Sequence, residues 1–301
     1  MTAFKGRVGV IGATSLIGEC LLPLLIEEGW DVVAFTRRMK YQQGQVKTQP
    51  VDWQLLRKTA SSNVSDILTP EKQISHWMCL APIWVLPEYF PLLSLYGVQH
   101  VVAISSTSRF TKTESSDPSE RALAAKLTEG EELFIDRAQK NKVAWTILRP
   151  TLIYGLRHDK NVSVIIHFIK RFAFFPLLGT ARGLRQPVHA HDVALGCLAA
   201  LSAEKAFNRS YNISGGETLP YREMVGRIFS ALGRKSRFVT FPLWLFRLAV
   251  LLLRMFPPFR HWSTAMAERM NQDLVFDHED ACRDLGFSPR PFLLTREDLP
   301  G

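Results

Sequence analysis

Long apolar runs, clustered cysteines and acidic residues are scarce in this sequence of 301 residues. No run reaches the roughly 20 apolar residues that cross a bilayer, because Arg247 and Arg254 interrupt the nearest one, residues 241–256. The four cysteines lie far apart, without the spacing of a metal site, so we expect reduced thiols. The first residues lack the apolar segment of a signal peptide. Together these features predict a soluble, cytoplasmic protein.

Basic residues outnumber acidic ones, 37 to 28, which gives a formal net charge of +9 at pH 7. Such an excess favours an anionic partner. The basic residues are mostly dispersed, and no helix-turn-helix, zinc-finger or RNA-binding signature is present, so we expect no nucleic-acid partner.

Short β-rich runs alternate with helical patterns over the first half of the chain. This alternation predicts an α/β fold with a Rossmann-type doubly wound parallel sheet, whose ligands lie at the carboxyl ends of the strands. The predicted strands are 7–11, 31–35, 46–51, 74–80, 100–105 and 143–148, and the predicted helices are 16–28, 85–96 and 119–139.

The pattern becomes mostly helical after Arg149. We expect residues 1–160 to form a dinucleotide-binding domain, to which the chain returns at about 187–213. Residues 161–186 and 214–301 would form a smaller substrate-binding lobe. The predicted helices are 161–172, 191–202, 221–232, 242–255, 264–270 and 279–285, with short strands at 187–189 and 210–213.

A glycine-bearing turn, GATSLIG, joins the first strand to the first helix. Gly12 suits a tight turn and Gly18 suits close packing of the helix on the strand. Backbone amides at Thr14, Ser15, Leu16 and Ile17 would then face a diphosphate at the helix N-terminus. The strand–turn–helix context predicts a dinucleotide site.

The end of the second predicted strand distinguishes the two nicotinamide cofactors. NAD-specific folds hold the ribose 2′-hydroxyl there with an acidic residue. This chain has Arg37 and Arg38 instead, a pair suited to a 2′-phosphate, so we expect NADP, with NAD as the alternative. Asp52 is a candidate adenine contact, and Ala81 and Pro82 would line the dinucleotide.

Several motifs together resemble the short-chain dehydrogenase/reductase superfamily, in its atypical and extended branches, the NAD-dependent epimerase/dehydratase family. They are GATSLIG, ISSTS, ILRPTLIYG, RQPVHAHDVA and YNISGGETLPYREMV. The resemblance implies an enzyme that passes a hydride between a nicotinamide and a nucleotide-linked sugar. It also implies a Ser or Thr after the fifth strand, here Ser106 or Thr107, and a Tyr-x-x-x-Lys pair on the next helix.

The family tyrosine is absent from this chain. If Lys126 is the family lysine, the tyrosine position is Ala122; if Glu131 sets the frame, the pair becomes Leu123 and Leu127. Lys126, Tyr154 or His189 could supply the base in its place. Otherwise the reaction needs no strong base, or the protein binds dinucleotide without turnover, as the Rossmann-fold accessory subunit of respiratory complex I is thought to do.

Further candidates come from motif position. Arg149 and Pro150 fall where the resemblance implies contact with the nicotinamide end of the cofactor. Arg182 and Arg185 could clamp a substrate diphosphate, or they could be a solvated pair. His189 is a candidate substrate contact, but with His191 it lacks a third metal ligand, so no metal site is expected. We interpret Asp192 as the N-cap of the next helix.

The apolar segment 241–256 has two interpretations. It is either a helix packed in the C-terminal lobe or in a homodimer interface, or an interfacial helix at the inner face of a membrane, with Arg247 and Arg254 reaching lipid headgroups. In the second case a lipid-linked sugar becomes a candidate substrate.

Two hypotheses of function remain. The first is an NAD(P)-dependent epimerase, dehydratase or reductase acting on a nucleotide-linked or lipid-linked sugar. The second is a catalytically silent dinucleotide-binding protein with a structural, assembly or sensing role, which the missing tyrosine favours.

Overall fold

The structure is a computed structural model that describes residues 4–37, 51–56, 73–244, 246, 248 and 264–299. A seven-stranded parallel sheet forms its centre, in the order β11-β6-β5-β4-β1-β2-β3. The strands of this sheet are β1 (Gly6–Ile11), β2 (Trp30–Thr36), β3 (Asp52–Leu55), β4 (His76–Cys79), β5 (His100–Ile104), β6 (Ala144–Pro150) and β11 (Arg209–Ile213).

Helices cover both faces of this sheet. Two apolar clusters pack beneath them, one under α1 and α6, the other under α2 and α4. The helices are α1 (Leu16–Glu27), α2 (Leu86–Leu95), α3 (Ser108–Thr111), α4 (Pro118–Lys140) and α6 (Ala190–Ser202). The predicted doubly wound α/β fold is thereby confirmed.

The remaining elements build a second lobe around a third apolar cluster. They are the helices α5 (Val162–Phe172), α7 (Tyr221–Ala231) and α8 (Ala265–Asn271), and the strands β7 (Ile153–Tyr154), β8 (Phe175–Leu178), β9 (Leu184–Arg185), β10 (Val188–His189), β12 (Leu219–Pro220) and β13 (Phe238–Phe241). Helix α9 (Glu279–Leu285) instead contributes Ala281 and Leu285 to the cluster under α1 and α6. Helix α9 also packs against α6.

Local sequence explains the helix starts. The hydroxyl of Ser15 accepts a hydrogen bond from the Gly18 amide at 3.2 Å and caps α1. Asp117 caps α4 through the Ser119 amide at 2.8 Å, and Pro118 fills the first helical position. No helix among the described residues is long and apolar enough to span a membrane.

The N-cap prediction for α6 is wrong, and two other predictions fall largely outside the described residues. Of the predicted strand 46–51, residues 46–50 lie outside the described residues, and the strand described next in the chain is β3. The N-cap of α6 is His189, whose Nδ1 accepts the His191 amide at 3.1 Å. Asp192 binds Arg290 instead, at 2.8 Å from its Nε. Most of the predicted helix 242–255, Arg247 and Arg254 included, lies outside the described residues.

Candidate functional site

The strand order reverses at β1, which lies between β4 and β2. In open α/β sheets the carboxyl ends at such a reversal border the ligand crevice. Gly12 follows β1 and Ala81 follows β4, and the Leu80 amide donates to the Ile11 carbonyl at 2.8 Å. A Cβ on Gly12 would lie 2.6 Å from the Ala81 nitrogen, and Gly12 has φ +81°. Only glycine fits here without moving backbone.

The turn after Gly12 is open to solvent. Thr14 is exposed, and Ser15 and Leu16 are half-buried, whereas the Ile17 side chain packs into the core. A Cβ on Gly18 would lie 2.1 Å from the Ala13 carbonyl oxygen. Glycine at position 18 therefore allows the first turn of α1 to pack closely against residue 13. The first turn of a helix presents amides without intrahelical acceptors. The geometry therefore leaves room for an anion beside residues 14–16.

Arg37 directly follows β2, and its side chain is exposed at the carboxyl edge of the sheet. Arg38 lies outside the described residues. Pro82 is exposed beside Ala81, so both stand at the same edge as the turn.

Asp52 is at the wrong edge for an adenine contact. It is the first residue of β3, not the residue after a strand, and it faces the amino ends of the neighbouring strands. There it lies 3.7 Å from Arg7, which also binds Asp31. The prediction failed because the strand begins where we expected it to end.

Two candidate hydroxyl residues, Ser106 and Thr107, follow the end of β5. Thr107 is buried, and its hydroxyl donates to the Pro150 carbonyl at 3.2 Å. Ser106 is half-buried, and its Oγ accepts the Ser108 amide at 3.1 Å. Thr107 therefore joins the ends of β5 and β6, whereas Ser106 bonds within its own loop and is the more accessible of the two.

Helix α4 decides between the two frames for the missing pair. Ala122 and Lys126 are exposed on its outer face. Leu123 is half-buried against the core, and Leu127 is only 5% exposed. The inward positions are thus Leu123 and Leu127, and Lys126 cannot supply a base because its side chain points away from the sheet.

A buried charge cluster that sequence reasoning missed lies under α4. The carboxylate of Glu131 accepts hydrogen bonds from Ser105 Oγ at 2.5 Å and Arg149 Nη2 at 2.6 Å, and it also pairs with Arg109. Its side chain is 1% exposed. Arg149 is therefore bound to Glu131, while its guanidinium also lies 5.4 Å from the ring of Phe110. The only sequence signal is a glutamate in phase with the buried positions 124, 127 and 134.

Tyr154 lies in the core of the second lobe rather than in the crevice. It is fully buried, and its hydroxyl donates to the Leu293 carbonyl at 3.3 Å. Burial raises the pKa of Tyr154 to about 12. Its role as a base is not supported, because the phenol has no path to a ligand and little tendency to ionise near neutral pH.

His189 is also held internally. It is 8% exposed; its Nδ1 accepts the His191 amide, so Nε2 carries the proton and donates to Asp298 at 3.1 Å. Burial raises the pKa of Asp298, but hydrogen bonds from His189 and Thr295 outweigh it and hold that pKa at about 2. Both ring nitrogens are occupied, which favours a structural histidine.

Arg182 and Arg185 do not form a clamp. Arg185 is buried and donates to the carbonyls of Leu184 and Gln272, both at 2.7 Å, and to that of Arg269. Arg182 is exposed and lines an open cleft of about 680 Å³ on the outer face of α7. Backbone carbonyls accept the hydrogen bonds of the Arg185 guanidinium. Of the two arginines, only Arg182 could therefore contact a ligand.

Comparison with known families adds to this geometry. Residues 91–214 match the model of the NAD dependent epimerase/dehydratase family. The match covers less than half of the chain, and it agrees with the resemblance that the sequence motifs indicate. The matched residues run from α2 to the end of β11, and they include Ser106, Thr107 and all of α4.

Individual relatives are distant. The uncharacterized protein y4nG of Sinorhizobium fredii is 28% identical over 64% of this chain and 50% of its own length. The mitochondrial NADH dehydrogenase (ubiquinone) 1 alpha subcomplex subunit 9 of Arabidopsis thaliana is 28% identical over 32% of this chain and 24% of its own length. The chain thus spans half or less of these curated relatives.

A solved structure shares the fold over nearly the whole chain. The UDP-glucuronic acid 4-epimerase of Bacillus cereus, in complex with UDP-glucuronic acid and NAD, covers 97% of this chain and 96% of its own. The TM-score is 0.69 and the sequences are 17% identical, so the similarity is one of fold.

Proposed function

We propose that this chain binds a nicotinamide dinucleotide at the carboxyl edge of its sheet and does not perform the tyrosine-dependent sugar chemistry that its family resemblance implies. The observation that carries the proposal is the pair of leucines, Leu123 and Leu127, on the inward face of α4. A hydrocarbon side chain can neither accept nor donate a proton. The role that remains is structural, in assembly, or in sensing the cofactor.

Binding is supported by the crevice itself. Gly12 and Ala81 meet at the reversal of strand order, and the turn at Thr14 is open. The B. cereus epimerase of the same fold is in complex with NAD. A diphosphate across the first turn of α1 would gain charge-assisted hydrogen bonds from amides and the favourable end of the helix dipole.

NADP is the cofactor we propose, because Arg37 follows β2 and no acidic residue stands there. Changing Arg37 to Asp removes a partner of the 2′-phosphate and supplies one for the 2′-hydroxyl. We expect the ratio of NADPH to NADH affinity to fall at least about tenfold, in fluorescence titrations of both forms. An unchanged ratio would refute the assignment of Arg37.

A second candidate is a sugar-modifying enzyme, and one observation favours it. Ser106 and Thr107 follow the end of β5, and the resemblance implies that a hydroxyl after this strand holds the reacting oxygen. The substrate would be a nucleotide-linked or lipid-linked sugar, and a base other than tyrosine would be required.

Purified protein supplied with NAD or NADP distinguishes the two candidates. UDP-glucose and UDP-glucuronic acid are added, nicotinamide absorbance is followed, and the sugars are examined by nuclear magnetic resonance. We expect bound cofactor, no redox change and unaltered sugars. Reduction of the bound cofactor or an epimerised sugar would contradict the proposed lack of turnover. Absence of cofactor binding would contradict the proposed dinucleotide site itself.

A further inference from the structure

An apolar stripe lies on the exposed side of α5. Val164, Phe168 and Phe172 are four residues apart, which places them on one helix face. Val164 is 61% exposed and Phe172 is 49% exposed, whereas the opposite face of α5 is buried in the second lobe. The rings of Phe168 and Phe172 are 4.7 Å apart. Phe168 also packs against the core of the second lobe, so the exposed part of the stripe is formed by Val164 and Phe172.

Strand β13 carries further exposed apolar side chains, and β8 lies between it and α5. It pairs with β8, which follows α5 in sequence, and the Phe175 amide donates to the Arg237 carbonyl at 2.9 Å. Val239 and Phe241 are two residues apart, so their side chains lie on the same side of β13. They are 41% and 39% exposed. Trp244, just beyond the strand, is 68% exposed. We call the surface formed by Val164, Phe168, Phe172, Val239, Phe241 and Trp244 the aromatic face.

The two chain segments that carry the aromatic face contain basic residues and no aspartate or glutamate. Between Asp159 and Asp192 there are five lysines and arginines, and between Glu223 and Glu268 there are seven, with no aspartate or glutamate in either interval. Arg171, Lys235 and Arg237 are exposed next to the face. The guanidinium of Arg171 lies 5.5 Å from the ring of Phe172.

The open cleft on α7 lies on the other side of β13, because Phe238 lines the cleft and side chains alternate along a strand. Its lining combines the cations of Arg182, Arg222 and Arg227 with the carboxylate of Glu223. The cleft is therefore separate from the aromatic face.

We propose that the aromatic face docks on an anionic lipid bilayer. Aromatic side chains favour the boundary between acyl chains and headgroups, and flanking lysines and arginines are attracted to anionic lipid. A second copy of the chain fits less well, because a two-fold interface would bring two carboxylate-free basic surfaces together. The inference is independent of any bound dinucleotide.

Flotation of the full chain with vesicles tests the proposal. Vesicles of phosphatidylcholine alone are compared with vesicles that also contain phosphatidylglycerol. The apolar test variant is Phe241→Ser with Trp244→Ser, and its control is Leu133→Ser with Leu195→Ser, two leucines that are 46% and 41% exposed elsewhere. The charge test variant is Lys235→Gln with Arg237→Gln, and its control is Lys126→Gln with Arg137→Gln on the exposed face of α4.

We expect binding to the anionic vesicles that falls with salt. The apolar variant should bind about tenfold more weakly or worse, and the charge variant roughly 20-fold more weakly. Both controls should bind as the parent does. Circular dichroism verifies that each variant is folded.

Three results would overturn the proposal: equal binding to neutral and anionic vesicles, equal losses in test and control variants, or no binding at all. Sedimentation of the lipid-free protein adds a fourth. A dimer that the Phe241→Ser, Trp244→Ser variant dissociates would show that a second copy covers the face.

Discussion

The buried carboxylate of Glu131 joins three side chains at the ends of β5 and β6. It accepts from Ser105 and pairs with Arg109 and Arg149, all beneath α4. A carboxylate that is 1% exposed is tolerated only because cations and a hydroxyl satisfy it. Ser105 directly precedes Ser106 and Thr107, so the cluster holds the backbone in place next to these two hydroxyl residues.

Changing Glu131 to Ala should lower the free energy of unfolding by about 3–5 kcal/mol, because two half-buried guanidinium groups lose their partner. Glu132→Ala is the matched control, since Glu132 is exposed on the same helix, and it should change stability by less than about 0.5 kcal/mol. Urea denaturation measures both. Equal effects would mean that the cluster contributes nothing specific.

Asp298 gives the stability of the protein a dependence on pH. Its pKa is lowered to about 2 in the folded protein, chiefly by hydrogen bonds from His189 and Thr295 against the opposing effect of burial. Because the folded pKa is below that of an unfolded aspartate, this stabilisation is complete above about pH 5 and is lost as the pH falls toward 2.

The variant Asp298→Asn should therefore be less stable than the parent by about 2 kcal/mol at neutral pH, and the gap should close on acidification. Denaturation curves collected from neutral pH down to about pH 3 test this. A gap that stays constant over this range would show that the charge of Asp298 is unimportant.

At the scale of elements, helix α4 determines what the site can do. Its amphipathic phase turns Leu123, Leu127 and Glu131 inward and Lys126 outward. Gly130 allows close approach, since a Cβ there would lie 2.8 Å from the backbone of Trp84. Packing therefore fixes the rotation of α4 about its own axis. This rotation turns positions 123 and 127, rather than 122 and 126, toward the sheet.

A pair of substitutions tests this phase. Leu127→Lys should cost about 3 kcal/mol or more of stability, because it places an ammonium group in an apolar core without a partner. Lys126→Ala should change stability by less than about 0.5 kcal/mol. The reverse order of these effects would mean that α4 is rotated relative to our description.

The sequence predicted those elements whose hydrophobic run is bounded by turn residues. Residues 7–11 and 100–105 were expected as strands and match β1 and β5 within a residue. The weak run at 46–51 did not indicate that a strand begins at Asp52, since its alternation is too short to fix bounds. In the site, Gly12 and Gly18 carry a local signal, whereas Glu131 with Ser105 and His189 with Asp298 pair across 26 and 109 residues. Such pairs depend on tertiary packing and have no local pattern.

At the scale of the whole molecule, we assign a different role to each of the two lobes. The parallel sheet provides the crevice beside Thr14, and the second lobe exposes the aromatic face. The fold of the B. cereus epimerase extends over nearly the whole chain, while Leu123 and Leu127 on the inward face of α4 cannot transfer a proton. These two observations agree with the proposed binding of a dinucleotide without turnover.

Titration of the purified protein with NADPH and NADH, followed by nicotinamide fluorescence, tests the central claim most directly. Thr14→Glu places a negative charge at the exposed turn and should weaken binding of both by at least about tenfold. Ser202→Glu is the control, because Ser202 lies with Lys5 and Glu28 at the amino edge of the sheet, and it should bind as the parent does. If the parent binds neither cofactor, or Thr14→Glu binds both unchanged, the dinucleotide site is not where we describe it.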